Sequence, residues 1–133
     1  MRKPKNVKAV HKDFEGKNSH GQFIKITFDM YDSVAWVATG PYAHEVYIAL
    51  KRKYKGNNED DISLTYEEGS KLMNERTFTK AIDSLIEHGF IKWKRQGRVW
   101  KAPNIYALTD LWQKWPNIIT VPRKKQAQKV ILP

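Results

Sequence analysis

The amino-acid sequence predicts a mainly α domain closed by a small β-hairpin, with basic flexible tails. Three observations lead there. The 133 residues are 41% hydrophobic and rich in Trp, Tyr and Phe, enough for one core and one domain. Apolar residues recur at helical spacing in several segments between residues 34 and 88. Directly after the last of them, residues 90–101 alternate in the manner of strands and carry five basic residues with no carboxylate.

Residues 1–20 read as a flexible basic arm. They hold Arg2, Lys3, Lys5, Lys8 and Lys12 without sustained periodicity. In "QFIKITFDM", Ile24, Ile26, Phe28 and Met30 alternate with Lys25, Thr27 and Asp29, which predicts a half-buried extended segment. "DSVAWVATG" offers Asp32 or Ser33 as the cap of a short helix and Gly40 as its stop. Tyr31 and Trp36, beside that helix, are expected in the core.

Pro41 suits a first helical turn. The helix it opens runs to about Tyr54, with Ala43, Val46, Tyr47, Leu50 and Tyr54 on one stripe. "GNNEDD" is a loop and "ISL" a very short strand. A second helix begins at "TYEE", where Thr65 and Glu68 have capping-box spacing, and ends near Leu72 or Met73. Asn74 caps a third helix, which runs to His88 and stops at Gly89. Its buried face is Phe78, Ala81, Ile82, Leu85 and Ile86.

"FIKWKR" and "RVWK" then form a hairpin about Gln96–Gly97. Pro103 interrupts the second arm, which resumes at "IYAL". "TDLWQKW" supplies a short closing helix capped by Thr109 or Asp110. The domain therefore spans 21–115, and residues 116–133 form a basic C-terminal tail, mobile around "PRKKQAQK".

Composition narrows the chemistry. A net charge of +10 and a pI near 9.8 point to nucleic acid or an anionic membrane surface. A membrane partner is not expected, since no apolar run approaches the roughly 20 residues of a spanning helix. There is no cysteine, which excludes disulfides, thiolate metal sites and cysteine nucleophiles; with no export signal, a cytoplasmic location is expected. His11, His20, His44 and His88 are scattered over different elements, so no metal site is expected from them. No glycine-rich phosphate loop, Ser–His–acid set or carboxylate pair emerges, so neither a cofactor nor enzymatic activity is expected.

Three helices, a brief strand between the first two, and a hairpin straight after the third make the winged helix-turn-helix order. The stretch "LTYEEGSKLMNERTFTKAIDSLIEHGFI" resembles the helix-turn-helix core of bacterial winged-helix DNA-binding proteins. It is most similar to the group carried by phages, plasmids and other mobile elements, replication-initiator-like domains included. "FIKITFDMYDSVAW" and "VYIALKRKY" are similar to the lead-in of many such proteins, so the resemblance covers roughly residues 22–112. It implies a three-helix winged helix-turn-helix domain acting in replication, maintenance or transcription control of a mobile element. The chain departs from the family at the turn: "KLMNERTF" lacks the usual glycine and is about one residue shorter, leaving Met73 as the buried turn residue.

The contact residues follow from helical geometry. With Phe78, Ile82, Leu85 and Ile86 buried, residues 75–88 present Arg76, Thr79, Lys80 and Asp83 on the opposite face. Arg76 and Lys80 can donate to guanine edges or phosphates, and Thr79 can meet a thymine methyl. Asn74 and Thr77 stand at the helix N-terminus, which favours phosphate. Asp83 is expected to face away. On the wing, residues 90–101, the candidates for the backbone are Lys92, Lys94, Arg95, Arg98 and Lys101, with Trp93 and Trp100 packed inward. Double-stranded DNA is the expected partner, alone or with other replication or regulatory proteins. The alternative is a protein-interaction module whose basic face meets an acidic partner, an idea that Glu75 and Asp83 keep open.

Overall fold

A computed structural model describes residues 21–95 and 104–123. Among them are five helices and a three-stranded antiparallel sheet, a mixed α and β architecture rather than a mainly α one. The helices are α1 (Phe28–Tyr31), α2 (Val34–Thr39), α3 (Pro41–Arg52), α4 (Tyr66–Ser70) and α5 (Glu75–Glu87). The strands are β1 (Ile62–Leu64), β2 (Ile91–Arg95) and β3 (Asn104–Leu108), in the order β1-β3-β2. The N-terminal arm, the Gln96–Gly97 turn with Arg98, Trp100 and Lys101, and the tail after Arg123 lie outside the described residues.

Local chemistry explains most boundaries. Ser33 caps α2 by accepting the Trp36 amide, and Gly40 separates α2 from α3, whose first residue is Pro41. Thr65 and Glu68 close a full capping box at α4. Asn74 Oδ1 accepts the Thr77 amide at 2.8 Å and so opens α5. Beyond α5, Gly89 has φ +83°, the left-handed conformation that ends helices, and the chain passes directly into β2.

Several expectations need correction. The alternation in "QFIKITFDM" breaks at Phe28, because Thr27 accepts the Met30 amide and starts α1. Only Met30 of that helix is buried; Phe28 and Tyr31 are exposed, so Tyr31 is not a core residue. Helix α3 ends at Arg52, leaving Tyr54 at the surface, and α4 ends at Ser70. The closing helix is a 3-10 turn, Leu111–Lys114, without a side-chain cap. Thr109 donates instead to the Gly89 carbonyl at 2.6 Å.

The core is a layer of aromatic and aliphatic side chains between α2, α3 and α5 on one side and the inner face of the sheet on the other. Trp36, Tyr47 and Phe90 meet edge to face, and Trp112 stacks on Phe90. His44 stacks on Trp36 and shares a 2.6 Å hydrogen bond with its carbonyl, fastening α3 to α2. Ile62, Leu64, Ile91, Trp93 and Tyr106 supply the sheet's inner face. Gly69 lets α4 approach α5 closely: a Cβ there would stand 2.7 Å from the Phe78 ring. Met73, in the turn between these helices, packs against the core but is only partly buried, where a buried residue is expected.

Packed chain continues past residue 115, beyond the domain end expected there. Ile118 reaches the Gly89 region, and Arg123 returns to α5 and β2. No helix among the described residues is long and apolar enough to cross a membrane.

Candidate nucleic-acid interface

Helix α5 buries the five residues expected of it, Phe78, Ala81, Ile82, Leu85 and Ile86. The same geometry leaves Arg76 and Lys80 exposed and Thr79 half-buried on the opposite face. Thr77 is half-buried too. Its amide is taken by Asn74, whose side-chain oxygen is thereby committed to the cap and not free to meet an external donor. The amides of Glu75 and Arg76 lie in the first turn, which has no intrahelical acceptors and carries the positive end of the helix dipole.

The two halves of α5 differ in charge. Arg76 and Lys80 stand near its N-terminus against one acid, Glu75, whereas Asp83 and Glu87 occupy the C-terminal half. Asp83 does not present a bare carboxylate. Arg123 Nε donates to its Oδ1 at 3.1 Å, and the guanidinium lies 5.9 Å from the Trp93 ring centroid on β2. Burial opposes the Arg123 charge, but the hydrogen bond and charge of Asp83 outweigh it and hold the guanidinium above its ordinary pKa. Arg123 thus ties α5 to β2 and removes negative charge from the exposed helix. Glu87 lies 3.6 Å from the His88 ring.

Strand β2 follows α5 after one turn, and its residues alternate as expected, with Ile91 and Trp93 inward and Lys92 outward. Then the pattern shifts. Trp93 pairs with Tyr106 and Arg95 with Ile105, so Lys94 is the extra residue of a bulge. Consequently Lys94 and Arg95 are both exposed, where strict alternation would turn one of them towards the core. Trp93 Nε1 donates to the Arg95 carbonyl at 3.1 Å and pins the strand at that point. Lys92, Lys94 and Arg95 stand together on one strand. Arg98 and Lys101 lie outside the described residues, as do Gln96 and Gly97.

Two residues of the region are not evident from sequence. Lys71, exposed in the turn before α5, adds a cation near the helix N-terminus. Arg123 is forty positions from Asp83 and sits in a run read as tail, so no local pattern reveals the pair. Among the described residues no group of His, Asp and Glu could hold a metal ion. Comparison with family models, with curated proteins and with solved structures yields no match.

Proposed function

We propose that the chain binds double-stranded DNA as a winged helix-turn-helix domain. Helix α5 enters the major groove by its N-terminal half, and the β2–β3 pair acts as the wing on the phosphate backbone. The observation that carries this reading is the division of charge along α5. Arg76 and Lys80 are exposed and unpaired among the described residues, while Arg123 takes up the Asp83 carboxylate behind them. Lys92, Lys94 and Arg95 add exposed basic side chains on β2, the strand that follows α5. Arg76 and Lys80 are then the base readers, Lys71 and the wing cations hold phosphate, and Asn74 acts by presenting the helix N-terminus rather than by direct contact. The process served is replication, maintenance or transcription control of a mobile element.

The test is duplex binding by Arg76→Ala and Lys80→Ala. Loss of a bidentate base contact costs about 1–3 kcal/mol against a preferred site. Circular dichroism should be unchanged, since neither side chain enters the core. Full affinity in both variants would remove α5 as the reader.

A protein partner is the second reading. It is favoured by a different surface: Phe28, Tyr31, Val34, Val37 and Tyr42 are all exposed on α1, α2 and the start of α3.

A further inference from the structure

A cleft of about 540 Å³ lies between the lead-in to α1, the C-terminal end of α3 and the wall formed by Leu108–Gln113. Its volume falls in the usual range for small-molecule sites, roughly 300–1,000 Å³. Met30, Leu108 and Trp112 give it an apolar side. None of these groups takes part in the proposed DNA surface.

Three features of this open cleft bear on what it could hold. Tyr47 lines it at only 2% relative exposure, yet its hydroxyl has no hydrogen-bond partner among the described residues. Buried hydroxyls are ordinarily paired. Burial pushes this phenol up to about 12, so it remains a neutral donor and acceptor. Lys51 stands at the same wall, half-buried and 5.5 Å from the Tyr54 ring centroid. Burial, then the nearby Lys25 charge, holds its ammonium below the ordinary lysine pKa. Finally, the cleft is lined by two lysines and three carboxylates, Asp29, Glu59 and Asp110, yet none of the five forms an ion pair among the described residues.

Lysines and carboxylates that line one apolar wall without pairing with each other suit a molecule that carries both signs itself. We propose that the cleft binds a small zwitterion with an apolar side chain, that is, a free amino acid. Its carboxylate meets Lys51 and Lys25, its ammonium meets the acidic side chains, and its apolar part lies against Met30, Leu108 and Trp112. The Tyr47 hydroxyl bonds the end of the ligand nearest the floor. The wall that would sense it is joined to the α5–β2 junction, since the Thr109 amide donates to the Phe90 carbonyl and its hydroxyl to that of Gly89.

The experiment is titration of the ¹⁵N-labelled full chain with L-phenylalanine and L-leucine, followed through the amides of Lys51, Tyr54, Leu108 and Trp112. Phenylacetate and phenethylamine, which each lack one charge of phenylalanine, serve as controls. The proposal expects saturable shifts at these amides for at least one amino acid, and about tenfold weaker binding when either charge is absent. Lys51→Gln should weaken the amino acid by a similar factor. Tyr47→Phe removes only a hydroxyl that has no partner among the described residues, and should weaken binding while leaving thermal unfolding unchanged. No saturable shift for either amino acid overturns the proposal. So does equal binding of phenylacetate or phenethylamine, which would mark a site for one charge or for apolar contact alone. Because no DNA is present, the outcome is independent of the proposed duplex binding.

Discussion

Replacing Gly89 by alanine tests the joint from which both α5 and β2 are aimed. Two costs add there. At φ +83° an alanine Cβ crowds its own backbone, a strain of roughly 1–2 kcal/mol. The new Cβ would also stand 2.7 Å from the Trp112 nitrogen, 2.8 Å from the Leu111 carbonyl carbon and 2.9 Å from Ile118 Cδ1. Two of those three atoms are backbone and cannot rotate away, so overpacking adds about 1–3 kcal/mol. The sum, about 2–5 kcal/mol, is a large share of the roughly 5–15 kcal/mol typical of a domain. Gly56 provides the control. It has φ +98°, and a Cβ there would meet nothing within 4 Å, so Gly56→Ala should show the backbone cost alone. In urea denaturation followed by circular dichroism, Gly89→Ala should lower the midpoint by roughly 1–3 M at unchanged slope. A Gly89→Ala variant no less stable than Gly56→Ala would refute the packing of the closing turn on this joint.

Arg123→Ala should leave Asp83 as a bare carboxylate on α5, costing about 1–2 kcal/mol of stability for a hydrogen bond to a charged group at a half-exposed site. It should also weaken duplex binding several-fold, and Asp83→Asn in the same chain should restore it; binding isotherms of the two variants decide the point. Glu68 predicts an acid limb. Burial raises its carboxyl pKa, but hydrogen bonds from Lys53 and Thr65 and the Lys53 charge outweigh this and leave it below the usual range. A depressed folded pKa means that the stabilisation is present above the unfolded value and is lost as pH falls below about 5 towards the lowered one. Glu68→Gln should therefore flatten the stability profile there, read from thermal melts between neutral and acid pH, and an unchanged acid limb would exclude Glu68 as its source.

Much of the fold was legible because local rules and the tertiary structure agree. The caps at Ser33, Thr65 and Asn74, the stop at Gly89 and the buried face of α5 are all short-range patterns. Phe28 shows where such patterns mislead. Its place in an alternating run implied burial, but the Thr27 cap turns the chain into α1 before the alternation can continue. The candidate contact residues on α5 could be placed from periodicity alone, since Arg76 and Lys80 fall opposite Phe78 and Ile82. The bulge at Lys94 and the Arg123–Asp83 pair could not. Each depends on a partner far along the chain, Ile105 in one case and Asp83 in the other.

Salt dependence of duplex binding tests the central claim most directly. Each protein–phosphate contact contributes about −0.9 to the slope of log K against log salt on B-DNA. Wild-type chain and the double variant Lys94→Ala, Arg95→Ala should be titrated with one duplex over a series of salt concentrations. The account predicts a steep wild-type line and a variant line shallower by roughly one to two units, with preference among sequences little changed. Parallel lines, or wild-type affinity indifferent to salt, would contradict it and place the basic strand against something other than a DNA backbone.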